Sequence, residues 1–443
     1  MKSIPFTIAR SKEEAFFGCE LCQFEFQANS KLTFFDKYIF NETEIKTVTI
    51  PKSITQLNKG WRAGTVLECV DVELHVKKHE IFIVGKSVEK SDVYDVLHCA
   101  PRDIKIVNNP SFIRVIDTLV FAQRDTVNAI IPSSVRFISP FAFWGSQSLQ
   151  KVVFSMDSEI QIIGRFALFN TSIESITIPS SAASFRSGWC VSPPSFKEFK
   201  ILESEVKNIA IFGDNEDEKY VVFKNNHLQD EYDTLLFAKR NIVRAKVPSF
   251  IKKILSASFE NCFSIEKVEF SEDSQLKIIY EHVFNNTSLT EIEIPSSVRK
   301  ISCSVFFSID KFAFRGSFVD NIVIPASVTE INMNVFEKCN NLHKISFEKN
   351  SKLAKIESYL FLRSAIEKVR IPSCVNAISR GAFEECVNLQ SIEFSEDSNL
   401  RVIEDNAFLL SNLSNIETPA RFSFFEKKLV QGFFGTQKHL CPS

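Results

Sequence analysis

One recurring dipeptide limits what this chain can fold into more than any other feature. Ile-Pro or Val-Pro, usually followed by Ser, stands at Ile50-Pro51, Ile131-Pro132, Ile178-Pro179, Val247-Pro248, Ile294-Pro295, Ile324-Pro325 and Ile371-Pro372. Pro132 to Pro179, Pro248 to Pro295, Pro325 to Pro372 and Pro372 to Pro419 each span 47 residues. A fixed period of this size marks stacked repeats. The roughly two to four globular domains that 443 residues would otherwise imply are then the wrong picture.

Each 47-residue unit splits into halves of 23 and 24 residues. The second half begins at Phe26, Phe154, Phe270, Phe347 and Phe394, with an apolar framework at offsets 0, 6, 9, 14, 19, 22 and 24. One copy reads Phe270, Leu276, Ile279, Phe284, Leu289, Ile292, Ile294. Of those 35 positions 34 are apolar, the exception being Thr418, against about 15 expected from a 44% hydrophobic chain. The first half repeats as Ile371, Val375, Ile378, Phe383, Leu389, Ile392, Phe394 and as Ile324, Val328, Ile331, Phe336, Leu342, Ile345, Phe347.

Every half closes on a segment such as Leu389-Gln-Ser-Ile392-Glu-Phe394, whose period-two alternation sends Ile392 and Phe394 to one side and Ser391 and Glu393 to the other. That predicts one short strand per half-repeat, ended by Pro or Ser. A Val-x-x-Ile-x-x-x-x-Phe pattern then brings the chain back over the core. A unit this small cannot bury its apolar face alone. Stacked on copies of itself it makes a solenoid with a parallel sheet along one face. The 44 Phe against only 12 Gly and 15 Pro fit a stacked aromatic spine with turns made by Ser, Asn and Asp.

At Leu-x-x-Ile-x-Phe, Leu-x-x-Ile-x-Ile-Pro, the Ala382-Phe383 and Ala407-Phe408 pairs and the Ile-Pro-Ser-x-Val opening, the chain resembles the BspA-like, treponemal-type leucine-rich repeats. Phe-Ser-Glu-Asp-Ser-x-Leu, at Phe270 to Leu276 and Phe394 to Leu400, is similar to members expanded in trichomonad parasites. The resemblance implies a leucine-rich-repeat solenoid with a parallel β-sheet on one face, one short strand per half-repeat and short helical or irregular return segments. It also implies a non-enzymatic interaction protein that binds protein or glycan in adhesion at a cell surface. An intracellular leucine-rich-repeat scaffold is the alternative.

The repeats are regular over residues 4–60, 117–188 and 233–419. Residues 61–116 and 189–232 are expected to be irregular, degenerate turns of the same solenoid, and 420–443 a tail capping the open core end. Both irregular stretches follow a Gly-Trp pair, Gly60-Trp61 and Gly188-Trp189, and both end at Asp-Thr-Leu, Asp117 to Leu119 and Asp233 to Leu235. They also share Asn108-Asn109 and Asn225-Asn226. This reads as an old long repeat in which Asp117 corresponds to Asp233. Glu80 to Val84 and Tyr220 to Phe223 read as strands, and the 30-residue interval from Ile294 to Ile324 as a bulged turn.

The chain offers little to chemistry. With 52 Lys+Arg against 54 Asp+Glu, neither nucleic-acid binding nor direct membrane insertion is expected. No run of about 18 apolar residues and no signal-peptide pattern is expected, so a cytoplasmic location stands beside the surface or secreted one that the family implies. Cys19, Cys262, Cys339 and Cys386 each fall three residues after the Phe of the return pattern, at a buried ladder position. Cys19-x-x-Cys22 has no second pair at zinc spacing, and His75-x-x-x-His79 lies in strand-like alternation. No phosphate loop or catalytic elbow is present, and no cofactor or metal is expected. Asp157-Ser158, Asp273-Ser274 and Asp397-Ser398 recur as turn residues rather than catalytic carboxylates, and the sequons at Asn170, Asn286 and Asn412 are read as one shared loop position.

A binding face is therefore sought on the outward strand positions, which a solenoid presents as a rigid ladder. Glu269, Glu291 and Glu293 form a candidate acidic patch, beside a basic one of Lys344, Lys368 and Arg370.

Overall fold

The computed structural model describes residues 105–182, 232–301 and 317–413 without a break; outside them it describes strands and scattered single positions. The tail 420–443, Cys19 and Cys22, His75, and Asn225-Asn226 lie outside the described residues. The chain divides into two compact units, Met1–Ile209 and Ala210–Ser443.

The second unit shows the plan most fully. Arg244–Val247, Lys267–Phe270, Glu291–Glu293, Asn321–Ile324, Lys344–Phe347, Lys368–Ile371, Ser391–Phe394 and Asn415–Glu417 lie side by side in chain order, all parallel. This is the strand predicted at the close of each half-repeat, here called the long ladder. Its alternation holds: Ile371 and Val369 are buried, Lys368 and Arg370 exposed. The first unit has the same ladder in Ile106–Asn108, Asn128–Ile131, Lys151–Phe154, Ser175–Pro179 and Glu198–Leu202. Further upstream, Lys2–Ile4, Phe24–Phe26, Thr47–Ile50 and Cys69–Val72 also pair in parallel.

After the long strands that end at proline its carbonyl accepts the N–H three residues on, as in Val375 to Pro372 at 3.1 Å and Val328 to Pro325 at 3.1 Å. After Phe270 and Phe394 the Ser271 and Ser395 carbonyls do the same for Ser274 and Ser398, both at 3.0 Å. The β-turn so closed delivers the chain to a second strand of two residues. Lys253–Ile254, Ile278–Ile279, Lys300–Ile301 and Glu330–Ile331 form one short parallel ladder, and Lys355–Ile356, Ala377–Ile378 and Val402–Ile403 another. The return segments are thus strand and turn, and among the described residues none is helical.

Between the short strand and the next long one the chain rounds a buried Phe. In the second unit Phe259, Phe284, Phe314, Phe336, Phe361, Phe383 and Phe408 stack in succession, with ring centroids 5.0 to 5.5 Å apart. Each stacked pair adds about 0.5–1.5 kcal/mol beyond burial. The spine passes through Phe314 although 302–313 lie outside the described residues, so the extra length of the 30-residue interval falls between Ile301 and Phe314. In the first unit Phe121 and Phe143 stack at 4.9 Å, and Leu168 takes the next position.

The backbone around each spine residue was not legible in the sequence. The residues two before and two after it have positive φ, as at Leu119 and Gln123, His282 and Asn286, Asn334 and Lys338, and Tyr359 and Arg363. Their N–H groups point to the next turn: Tyr359 N–H reaches Arg380 O at 3.1 Å, Arg363 N–H reaches Glu384 O at 2.9 Å and Glu385 N–H reaches Leu409 O at 2.7 Å. A left-handed residue other than Gly costs on the order of 1 kcal/mol, and inter-turn hydrogen bonds hold it. Glycine scarcity is therefore only partly a matter of Ser, Asn and Asp turns. Bulky residues occupy positions where Gly would be least strained, and Gly381, at φ +61°, is one of the few exceptions.

Two expectations need correction. Phe82–Gly85 and Tyr220–Phe223 are strands, but they pair antiparallel with Val96–Cys99 and Thr234–Ala238, so they are not parallel solenoid turns. The long repeat is also displaced by one turn. Asp95 O accepts the N–H groups of Arg114 and Val115, and Asp233 O accepts those of Lys252 and Lys253. Each aspartate opens a strand with an antiparallel neighbour on one side and a parallel one on the other. The counterpart of Asp233 is thus Asp95, not Asp117. Pro110-Ser-Phe-Ile113 and Pro248-Ser-Phe-Ile251 match in the same alignment, and that identity was the signal available in the sequence.

Candidate functional site

The six charged residues proposed from the sequence all project from the long ladder of the second unit. Two outward columns run across it. The first carries Arg244, Lys267, Glu291, Asn321, Lys344 and Lys368 in register, and the second Lys246, Glu269, Glu293, Val323, Ser346 and Arg370. Glu291 and Glu293 are exposed on one strand, and Glu269 sits on its neighbour. Lys344 is two strands further on, with Asn321–Ile324 between.

Electrostatics separates the two patches. Glu269 is already paired with Lys267 at 2.9 Å, and that hydrogen bond holds its carboxyl below the usual carboxylate range. Lys344, Lys368 and Arg370 have no ion-pair partner among the described residues, and Lys344 and Lys368 are direct neighbours across the ladder. Like charges facing each other across strands destabilise a sheet. All three line one open groove of about 790 Å³, with Ser346 and the half-buried Phe347 beside them. Glu348, Glu367, Glu393 and Asp397 also border it, so it is mixed in charge rather than uniformly basic.

The other sequence features resolve into architecture. Cys262, Cys339 and Cys386 are buried and free, and the Cys339 and Cys386 thiols face spine carbonyls of the preceding turn, Phe314 O at 3.3 Å and Phe361 O at 2.9 Å. Burial pushes Cys386 up to about 11 and Cys339 higher still, which keeps both thiols protonated and unreactive. Ser146, Thr171, Thr287 and Ser317 occupy the same ladder position. In Ser158, Ser274 and Ser398 the hydroxyl oxygen accepts the N–H two residues on, as expected of turn residues. His79 ends the strand Lys77–His79.

The sequons have a structural origin too. Asn170 and Asn286 fill left-handed positions, and the following Thr171 and Thr287 are buried ladder residues. Asn412 does not share that position: it lies four residues after Phe408, not two. Among the described residues, no group of three or more His, Cys, Asp or Glu side chains is placed to hold a metal ion, and no helix is long and apolar enough to cross a membrane.

A buried polar cluster at the start of the second unit was missed. The Arg240 guanidinium lies 4.2 Å over the Phe237 ring and donates to Ser258 O at 2.9 Å and Ala257 O at 3.2 Å. Glu260, 4% exposed, accepts a hydrogen bond from Asn285 Nδ2 at 2.8 Å. Burial drives its carboxyl up to about 7, against the opposing pull of Asn285 and Arg240. Glu260 Oε2 and Asn285 Oδ1 have no hydrogen-bond partner.

Residues 2–80, 114–215, 195–309 and 307–433 match the profile described as BspA type leucine-rich repeat region, in six copies. The unmatched stretch holds the antiparallel strands Phe82–Gly85 and Val96–Cys99. Among solved structures, the pneumococcal vaccine antigen PcpA is similar with a TM-score of 0.51 at 17% identity, over 86% of this chain and 85% of that one. A leucine-rich repeat protein of Eubacterium ventriosum aligns at 15% identity and TM-score 0.43, over 90% and 85%. One of T. pallidum aligns at 19% and 0.28, over 51% and 95%. No curated protein matches. At such identities the likeness to PcpA speaks to fold alone, whereas the profile spans most of the sequence. This chain belongs to the BspA-type leucine-rich repeat family.

Proposed function

We propose that this is a non-enzymatic interaction protein whose outward face on the second unit's long ladder binds a protein or glycan partner, in the manner of a surface adhesin. The observation that carries this reading is the trio Lys344, Lys368 and Arg370, exposed, without an ion-pair partner among the described residues and gathered in one groove. Like charges left in register cost stability, and a ligand that neutralises them recovers it. Glu269, Glu291 and Glu293 complete a bipolar face. The division into regular blocks 4–60, 117–188 and 233–419 with a capping tail 420–443 belongs to the same proposal, the regular blocks carrying the recognition surface.

The test is a binding screen of the full chain against host proteins and glycans, with Lys344→Glu, Lys368→Glu and Arg370→Glu combined as the control. Loss of affinity, steepest at low salt, is expected; unchanged affinity sinks the assignment of this face. Labelling of unpermeabilised cells decides between surface adhesin and intracellular scaffold.

A further inference from the structure

Resting on that binding role, we infer that the occupant of the face is a second copy of this chain, docked face to face. The strand Asn321–Ile324 is the one charge-free strand between the acidic and basic patches. Its outward Val323 is apolar and 50% exposed. A two-fold axis lying in the face along this strand keeps the strands parallel and reverses their order. Each outward column then meets itself.

The charges follow from register. Glu291 of one copy faces Lys344 of the other, Glu269 faces Arg370, and Lys246 faces Glu393, while Val323 packs on its own counterpart. One like pair arises, Lys267 with Lys368, and Lys267 is already neutralised by Glu269 at 2.9 Å. The other face-to-face two-fold, with its axis along the stack of turns, sets Glu291 against Glu293 and Lys368 against Arg370. Only the first arrangement is self-complementary, as an isologous interface requires. Its footprint is small: seven strands about 4.8 Å apart, each showing roughly 13 Å of chain, cover about 400 Å² per copy. A standard interface takes about 800 Å² per partner, so the association is weak and strongly salt-dependent.

Sedimentation equilibrium of the full chain over a wide concentration range, at low and high salt, tests this. The wild type is expected to dimerise at low salt and to dissociate at high salt. The combination Lys344→Glu, Lys368→Glu and Arg370→Glu, and separately Glu269→Lys, Glu291→Lys and Glu293→Lys, should each give a monomer. An equimolar mixture of the two variants should restore a dimer. Where a triple variant fails to fold by circular dichroism, Lys344→Glu and Glu291→Lys, which face each other across the two-fold, are scored in the same way. A wild type that stays monomeric at low salt, variants that still self-associate, or a mixture that stays monomeric overturns the inference. A monomeric wild type leaves the proposed partner-binding role standing, since that role fails only when charge reversal leaves partner affinity unchanged.

Discussion

The long ladders of the two units present different surfaces on the same scaffold. In the first unit the outward positions of Asn128–Ile131, Lys151–Phe154 and Ser175–Pro179 carry Asn128, Ile130, Lys151, Val153, Ser175 and Thr177, with Ile130 44% exposed. In the second unit the corresponding strands carry Glu291, Glu293, Lys344, Lys368 and Arg370. Inward, the two are nearly interchangeable: Ala129, Ile131, Val152 and Ile176 are buried in one, Ile292, Ile324, Ile345 and Val369 in the other. The core demands only that the alternation be kept, so the outward columns are free to diverge, and charge has gathered on one of them. The spines differ as well. Seven Phe stack without interruption in the second unit, whereas Leu168 follows Phe143 in the first.

Truncating the spine should have the largest effect and should differ between units. Phe336→Ala removes a ring stacked on both sides, Phe143→Ala a ring with one stacked neighbour. Denaturant unfolding should show a loss of about 3–5 kcal/mol for the former and less for the latter. Equal losses would mean that burial alone, without stacking, holds the spine.

Next comes Glu260, which has an Ala in its place in the first unit, at Ala122, one residue after Phe121. Its folded-state carboxyl titrates near 7 against 4.5 unfolded. Between these values the folded state holds a proton that the unfolded state has lost, so stability falls as pH rises from 4.5 to 7. The penalty is fully present above that window. Glu260→Gln should raise stability by about 3 kcal/mol at pH 8, leave it nearly unchanged at pH 4, and give Asn285 Oδ1 a donor. Thermal unfolding across that range checks the slope, and a wild type with flat stability would remove the proposed protonation.

Left-handed positions should give smaller, opposite effects. Gly381→Ala places a Cβ 2.4 Å from the Tyr359 ring at positive φ and should destabilise by at least about 1 kcal/mol. Lys338→Gly, at the left-handed site two residues after Phe336, should stabilise by up to about 1 kcal/mol by relieving strain. The smallest change is expected on the outward columns. Ile130→Lys and Lys368→Glu should each shift stability by less than about 0.5 kcal/mol, and only the second should alter partner affinity.

Much of this was legible from local pattern. The period, the strand at each half-repeat and the inward Ile, Val and Phe follow from which side of a strand a residue faces, and alternation records that directly. Ser158, Ser274 and Ser398 were readable as turn residues because their hydrogen bonds close within two residues. The pairing of Asp233 with Asp95 was not, because it rests on which turn hydrogen-bonds to which, and a chance Asp-Thr-Leu at Asp117 competed for the alignment. The candidate face was visible as a set of residues. That Glu269 is occupied by Lys267 while Lys344, Lys368 and Arg370 have no ion-pair partner among the described residues was not, since it depends on side-chain reach across the face.

By itself, then, the sequence determined a stack of turns of 23 or 24 residues with an aromatic core, because one-dimensional periodicity and burial are the same information in a solenoid. Only the tertiary structure decided the short second ladder, the paired left-handed residues around each spine Phe, the antiparallel strands at Phe82–Gly85 and Tyr220–Phe223, and the register of the charged columns. Each of these is set by hydrogen bonds or contacts between segments that are not neighbours in sequence, and no local pattern carries them.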